Sequence, residues 1–247
     1  VIIYYFFATI ANFSVASIAF TLLITGFIGL DHMFVPLYVT VVVAGLAAAV
    51  VMPRIPPLSW KEDRYHEPVG RQLAEEEEPS GRGLLRASVE AAVARAGSAP
   101  GARRLGREVL LNTTDIYFGL LPLVMAIGTA ALAVAEFTPV FTWISYPMVP
   151  VLELLGLPEA ATAAPATLVG FADMFLPAVL LTAVESELTR FVLGCLSLTQ
   201  LVYMSEIGVL ILKSSIPLSL GELAAVFALR TALTLPIIAG MAHLLFF

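Results

Sequence analysis

From Phe34 to Met52 the chain carries no charged residue, and comparable apolar runs recur along most of its length. A helix needs roughly 20 mainly apolar residues to cross a bilayer, so these runs leave few folds open. Composition agrees with them. Hydrophobic residues make up 59% of the chain and charged residues 13%, whereas soluble domains carry about 25% charged residues. Mean hydropathy is +0.93. The sequence predicts an integral, multi-pass membrane protein. In lipid a segment must satisfy its own backbone, which selects helices, and the short alternating segments of a β-barrel are not seen. The expected fold class is all-α, a polytopic transmembrane helical protein with broken helices. Hydrophobic windows place helices near 2–29, 35–52, 116–135, 166–184, 190–212 and 220–247. The chain starts at Val1 inside an apolar run, with no Met and no basic leader. That is not a signal peptide and suggests a start partway into a longer chain. The single cysteine, Cys195, cannot form an intramolecular disulfide.

Three regions follow. Residues 1–52 hold two transmembrane helices. Residues 53–112 hold Arg54, Lys61, Arg64, Arg71, Arg82, Arg86, Arg95, Arg103, Arg104 and Arg107, most of the 13 Lys and Arg in the chain. The positive-inside rule makes this loop cytoplasmic and the location the cell's inner membrane. Glu75 to Gly83 reads as a solvated tract. Leu84 to Ala96 has the spacing of an amphipathic helix, either lying on the inner membrane face or packed on the protein. Residues 113–247 form the remaining membrane domain. Within it, Pro139, Pro147, Pro150 and Pro158 break an apolar stretch over 137–165. Prolines so close together do not suit a straight spanning helix, and the reading is a re-entrant or interfacial hairpin. If it does not cross, Glu185, Glu187 and Arg190 return to the cytoplasm; if it crosses, Lys213 is cytoplasmic.

The polar groups inside these windows are the candidate site. On a helix of 100° per residue, Thr199, Tyr203 and Glu206 share one face, flanked by Gln200. A charge inside a spanning helix costs at least roughly 2.5 kcal/mol and normally marks a pathway or a paired site. The alternative is a structural interhelical hydrogen-bond cluster. Asp173 is followed by Pro177, which lacks the N–H that would bond the Asp173 carbonyl within a helix. It is either part of an ion or solute site at a broken helix or a cap on a helix end. Arg230 lies within the last window, near Thr231 and Thr234. It pairs with Glu206 or Asp173, binds an anionic solute group, or snorkels to the interface. Asn12, Ser14 and Ser17 suggest helix packing. No HExxH, GxSxG or P-loop is present, and His32, His66 and His243 lack metal-ligand spacing. The chain is therefore read as a non-enzyme with no cofactor, no metal and no nucleic-acid partner.

VGFADMFLPAVLL and SLTQLVYMSEIGVLILKSSIPL resemble membrane proteins that carry the nucleoside-recognition or gate domain. The YjiH family is the nearest in pattern. The spore maturation proteins A and B, the concentrative nucleoside transporters and the pore region of the bacterial ferrous iron transporter are related groups. The resemblance covers about 113–217, and the helix pair with its charged loop over 1–112 also fits the YjiH type. It implies a gate-type domain, transport of a small polar solute, and a role for Asp173 and the Gln200, Tyr203 and Glu206 stretch. Longer relatives carry another membrane half. Thr142 to Tyr146 (TWISY) differ from the glutamine–glutamate tip of the nucleoside transporters. Two functions remain in view: a secondary transporter or pore component, cation- or proton-coupled, and a non-transporting scaffold or accessory subunit. The expected partners are the bilayer, a small polar solute or ion, and a second membrane half or further copies.

Overall fold

The computed structural model describes residues 15–61, 89, 93, 97, 101–213 and 216–247. All secondary structure among these residues is helical. Chain contacts divide the protein into two units: Val1–Asp63 with Leu123–Phe247, and Arg64–Pro122.

In the second unit, helix α3 spans Ala102–Asp115 and leads into a π-helical turn at Ile116–Leu120. The earlier helices, α1 at Val15–Phe27 and α2 at Phe34–Val51, belong to the first unit. Helix α3 is not in the sequence windows because it is too polar for them. Arg103, Arg104 and Arg107 share it with Leu105, Val109 and Leu110, and Arg104 pairs with Glu108 one turn on, at 2.9 Å. The glutamate tract and most of the 84–96 helix lie outside the described residues, as do Asn12 and Ser14.

The first unit continues with α4 (Leu121–Phe137), α5 (Val140–Ser145) and α6 (Val149–Leu154). It ends with α7 (Ala160–Val169), α8 (Leu176–Leu181), α9 (Glu187–Thr199), α10 (Val209–Lys213) and α11 (Leu220–Met241). Among the described residues, three helical stretches are long and apolar enough to cross a membrane: Asp31–Arg54, Glu187–Leu212 and Leu220–Phe246. The prolines of 137–165 mostly sit at helix starts, with Pro139 preceding α5 and Pro150 opening α6. There a missing N–H costs little. The chain reverses after α6, through Gly156 and Glu159, both at positive φ.

Side-chain links fix which helix ends lie together. Arg190, at the start of α9, donates to the carbonyl of Ile28 at the end of α1 (2.6 Å). The Glu159 carboxylate, at the start of α7, accepts from the backbone N–H groups of Glu185 (3.1 Å) and Ser186 (2.8 Å). Thr189 donates to the carbonyl of Pro158 (2.8 Å), and His243 lies 2.8 Å from the carbonyl of Leu155. At the far end of α11, Glu222 closes a capping box with Ser219 and pairs with Lys61 at 2.6 Å. The 22 residues of α11 separate these two ends by about 33 Å at 1.5 Å per residue.

One consequence concerns 160–184. The single helix expected over 166–184 is instead two short helices, α7 and α8, and both outer ends are held by Glu159 at the same end of the bundle. The segment enters, turns at 170–175 and returns. With 10 residues, α7 reaches about 15 Å, near the middle of the α11 span. An alanine-rich sequence, AATAAPATLV, lets its backbone approach neighbours closely. Phe171 at the tip packs edge-on against Phe227 of α11 (ring centroids 5.2 Å apart). A second correction concerns 190–212. The helix stops at Thr199, passes through a left-handed Leu201 and an extended Tyr203, and resumes as a π-helix at Met204–Gly208.

Candidate functional site

The turn at 170–175 meets the break at 200–203. Met204 N–H donates to the carbonyl of Phe171 (2.8 Å), and Ser205 N–H to that of Ala172 (3.0 Å). These bonds satisfy backbone groups that both interrupted helices leave open. Their register advances one residue on each side, so Asp173 and Glu206 come next, opposite each other. The two carboxylates interact electrostatically, and both act on Tyr203 together with Arg230. Four of the sequence-selected residues therefore gather at one crossing, although no continuous helix carries Thr199, Tyr203 and Glu206 on a common face.

No glycine or proline marks the break at 200–203, and Leu201 adopts the left-handed region at φ 64°. A non-glycine residue there costs roughly 1–2 kcal/mol. The surrounding polar side chains offset this cost. Gln200 donates through Nε2 to the carbonyl of Thr167 (2.8 Å) and to Thr231 Oγ1 (2.9 Å). Its amide also lies against Gly170, where a Cβ would sit 2.2 Å from Gln200 Oε1. The Tyr203 hydroxyl donates to the carbonyl of Ser197 (2.6 Å), and the Thr199 hydroxyl to that of Leu196 (3.1 Å). The fully buried Arg230 donates through Nε to the Thr199 carbonyl. A cation at a helix C-terminus also complements the helix dipole. The polar stripe thus caps the last turn of α9.

For Arg230, the sequence named Glu206 or Asp173 as partner. Among the described residues no ion pair joins it to either, and its Nε donates to the Thr199 carbonyl. The corrected reason is local: a helix ending inside the protein exposes carbonyls, and guanidinium N–H groups satisfy them.

Asp173 is buried, at 6% exposure. It does not sit in a kinked helix. Its Oδ1 accepts from Phe175 N–H (2.7 Å), and Pro177 lies in the first turn of α8. The proline therefore starts a helix and does not free the Asp173 carbonyl within one. Gly128 of α4 faces the other oxygen, since a Cβ there would lie 3.5 Å from Oδ2. Glu206 is half-buried, and its carboxylate accepts no hydrogen bond among the described residues.

Among the described residues, Gln200 Oε1 and Ser205 Oγ find no hydrogen-bond partner, and both belong to fully buried residues. Ser205 carried no signal of its own in the sequence beyond its place between Tyr203 and Glu206. Thr167 and Leu201 were likewise not legible, because their roles arise from contacts across the fold.

No family model matches the chain, and no solved structure matches it. It is 59% identical over 236 residues to the uncharacterized protein BpOF4_10220 of Alkalihalophilus pseudofirmus. The match takes in 96% of this chain and 51% of that protein, so the chain spans about half the length of the curated relative it matches.

Proposed function

We propose that this chain is a polytopic membrane domain of the gate type and that it forms part of a secondary transporter or pore for a small polar solute or ion. In this reading 160–184 is a re-entrant hairpin, and its tip meets the interrupted helix near the middle of the bilayer. The observation that carries the proposal is the pair of backbone hydrogen bonds from Met204 and Ser205 to Phe171 and Ala172, which set Asp173 opposite Glu206. Non-helical backbone at membrane depth is tolerated where it is buried in protein or lines a cavity. Discontinuous helices in that position are how secondary transporters build their sites. YjiH membership and a nucleoside-like solute belong to the same proposal, which rests there on motif resemblance.

If the basic loop over 53–112 is cytoplasmic, the Lys61–Glu222 link puts the start of α11 and nearby Lys213 on that side. Glu159, Glu185 and Arg190 then lie on the opposite side. The scaffold reading draws its support from Thr199, Tyr203 and Arg230, whose hydrogen bonds to carbonyls cap the protein's own backbone.

The test is Glu206→Gln, which keeps shape and removes charge. Purified variant and wild type are screened by thermal shift against nucleosides, amino acids, dipeptides and metal salts, and hits are followed by uptake into proteoliposomes. A functional carboxylate predicts a variant that folds normally and loses the ligand-induced shift and uptake. Retained binding with a clear drop in Tm supports the scaffold reading instead.

A further inference from the structure

Helix α3 is amphipathic, and among the described residues nothing covers its apolar side. Counted at 100° per residue, Leu105, Val109 and Leu110 fall within an arc of about 140°, and Arg103, Arg107 and Arg104 within about 100° directly beside it. The three apolar side chains are 53%, 57% and 67% exposed. A helix of 14 residues is marginal in water by itself and draws its stability from burying an amphipathic face. The open arc of α3 therefore needs a cover. Upstream, Val89 and Val93 stand one helical turn apart and are likewise 60% and 66% exposed.

The charges beside the arc indicate what that cover is. Gly101, Arg103, Arg104 and Arg107 line one open hollow on the surface, so three guanidinium groups border a shared space. Arginine is not deprotonated in proteins, which fixes their charge. Glu108 engages Arg104 at 2.9 Å, and among the described residues Arg103 and Arg107 meet no carboxylate. From Pro79 to Arg107 the sequence holds six arginines and a single acid, Glu90. The matching surface offers negative charge above an apolar bed. Nucleic acid supplies the charge without the bed, and leaves Leu105, Val109 and Leu110 in water. An anionic phospholipid leaflet supplies both: guanidinium forks bond phosphate, and the headgroup–acyl boundary takes the apolar arc of a surface helix. Connectivity favours the leaflet over an acidic protein groove. Five residues after Asp115 the chain enters the apolar run of α4. Those five form a π-helical turn, an irregularity at which helices bend.

We infer that α3 docks on the anionic surface of the membrane, with Leu105, Val109 and Leu110 in the headgroup–acyl boundary and Arg103 and Arg107 on lipid phosphates. The inference rests on the proposed membrane placement of the chain and is independent of any site at the crossing of hairpin and helix break. It makes 102–115 a lipid-sensing stretch whose docking follows the charge of the leaflet.

The test reconstitutes the full chain into nanodiscs of phosphatidylcholine alone, and of equal parts phosphatidylcholine and phosphatidylglycerol. Nitroxide labels are attached through Val109→Cys, on the apolar arc, or Leu111→Cys, on the opposite side of the helix, in a Cys195→Ser background. Accessibility is read by collision with a neutral water-soluble nickel chelate and with oxygen, which concentrates in lipid. In anionic discs the Val109 label is expected to be shielded from nickel and open to oxygen, and the Leu111 label to show the reverse. In phosphatidylcholine discs the shielding at Val109 is expected to fall. Each arginine near an anionic surface contributes about a fivefold change in partition. Arg103→Gln with Arg107→Gln is therefore expected to move the ratio of docked to released components in the Val109 spectrum by about 25-fold toward release. The comparison of the two lipid compositions with both arginines in place is decisive alone, so a double variant that misfolds does not shelter the idea. A Val109 label equally open to nickel in both discs overturns the inference. Shielding that ignores lipid charge and persists in detergent assigns the arc to a protein contact and overturns it as well. A chain that does not enter nanodiscs removes the membrane placement, and this inference with it.

Discussion

Gly170→Ala tests the tightest glycine position among the described residues. Gly170 itself has φ −56° and ψ −23°, a conformation any residue adopts. On backbone grounds alanine is therefore expected to stabilise by about 0.4–1 kcal/mol through the unfolded chain. The contact reverses the sign. The new Cβ would sit 2.2 Å from Gln200 Oε1 and 3.3 Å from its amide carbon, inside any permitted separation. The Gln200 side chain has no free direction, because Nε2 is held by Thr167 and Thr231. Relief needs either a shift of the hairpin tip or loss of those two hydrogen bonds at about 1 kcal/mol each. Overpacking of this kind typically costs about 1–3 kcal/mol, so after the backbone gain the net destabilisation is about 1–2 kcal/mol. For a chain of this size that lowers Tm by roughly 2–8 °C. The assay is thermal unfolding of purified protein in one detergent, run as a double-mutant cycle with Gln200→Ala. Residues in contact show coupling energies, so Gly170→Ala is expected to cost far less once Gln200 is truncated. A Gly170→Ala protein as stable as wild type, or a penalty unchanged in the Gln200→Ala background, would refute the packing of hairpin tip on helix break.

Three further outcomes follow from the same geometry. Tyr203→Phe removes the donor from the Ser197 carbonyl and is expected to lower stability by about 1–3 kcal/mol, read as a Tm loss in the same melts. Single cysteines at Ser80 and Ser98 in a Cys195→Ser background are expected to resist an impermeant maleimide in intact cells and to react after lysis, whereas a cysteine at Ser186 is expected to label from outside. Replacing Glu75 to Glu78 with Gln is expected to leave membrane insertion and any ligand-induced shift unchanged, checked by membrane fractionation and thermal shift.

What the sequence disclosed was the identity of the polar residues, not the geometry that unites them. Periodicity assumes an unbroken helix, and on that assumption Thr199, Tyr203 and Glu206 share a face. The actual backbone leaves the helix at Gln200 with no glycine or proline to announce it. The cause lies in tertiary contacts: the carbonyls of Phe171 and Ala172, and the side chains of Gln200 and Arg230, satisfy what the break exposes. None of these partners is local in sequence. The windows for the apolar stretches held for α2 and α11 because burial in hydrocarbon or in core demands the same composition. They failed for 166–184, where α7 and α8 have the hydropathy of one spanning helix and the connectivity of a hairpin. Composition cannot separate those two cases. The Glu159 carboxylate bridging to Glu185 and Ser186 does, and it was unreadable because a lone glutamate after a proline looks like any solvated turn.

The arrangement also divides the polar residues by task. Thr199, Tyr203 and Arg230 direct hydrogen bonds at carbonyls of the last turn of α9. Their expense in an apolar surrounding is explained by the interruption they make possible, and each is predicted to act first on stability. Asp173 and Glu206 are different. Nothing in the capping of α9 requires two facing carboxylates, and like charges brought together oppose folding unless a counter-charge or a proton intervenes. Gln200 belongs to both groups, since its Nε2 supports the fold while its Oε1 is left open. Substitutions at the first three are therefore expected to move Tm at constant ligand affinity, and substitutions at the two carboxylates to move affinity more than Tm. Gln200→Glu separates these roles within one side chain. It keeps an oxygen where Oε1 lies and replaces the donating Nε2, so it is expected to lose the bonds to Thr167 and Thr231 and to lower Tm. A Gln200→Glu protein with wild-type Tm would show that those two bonds do not hold the break in place.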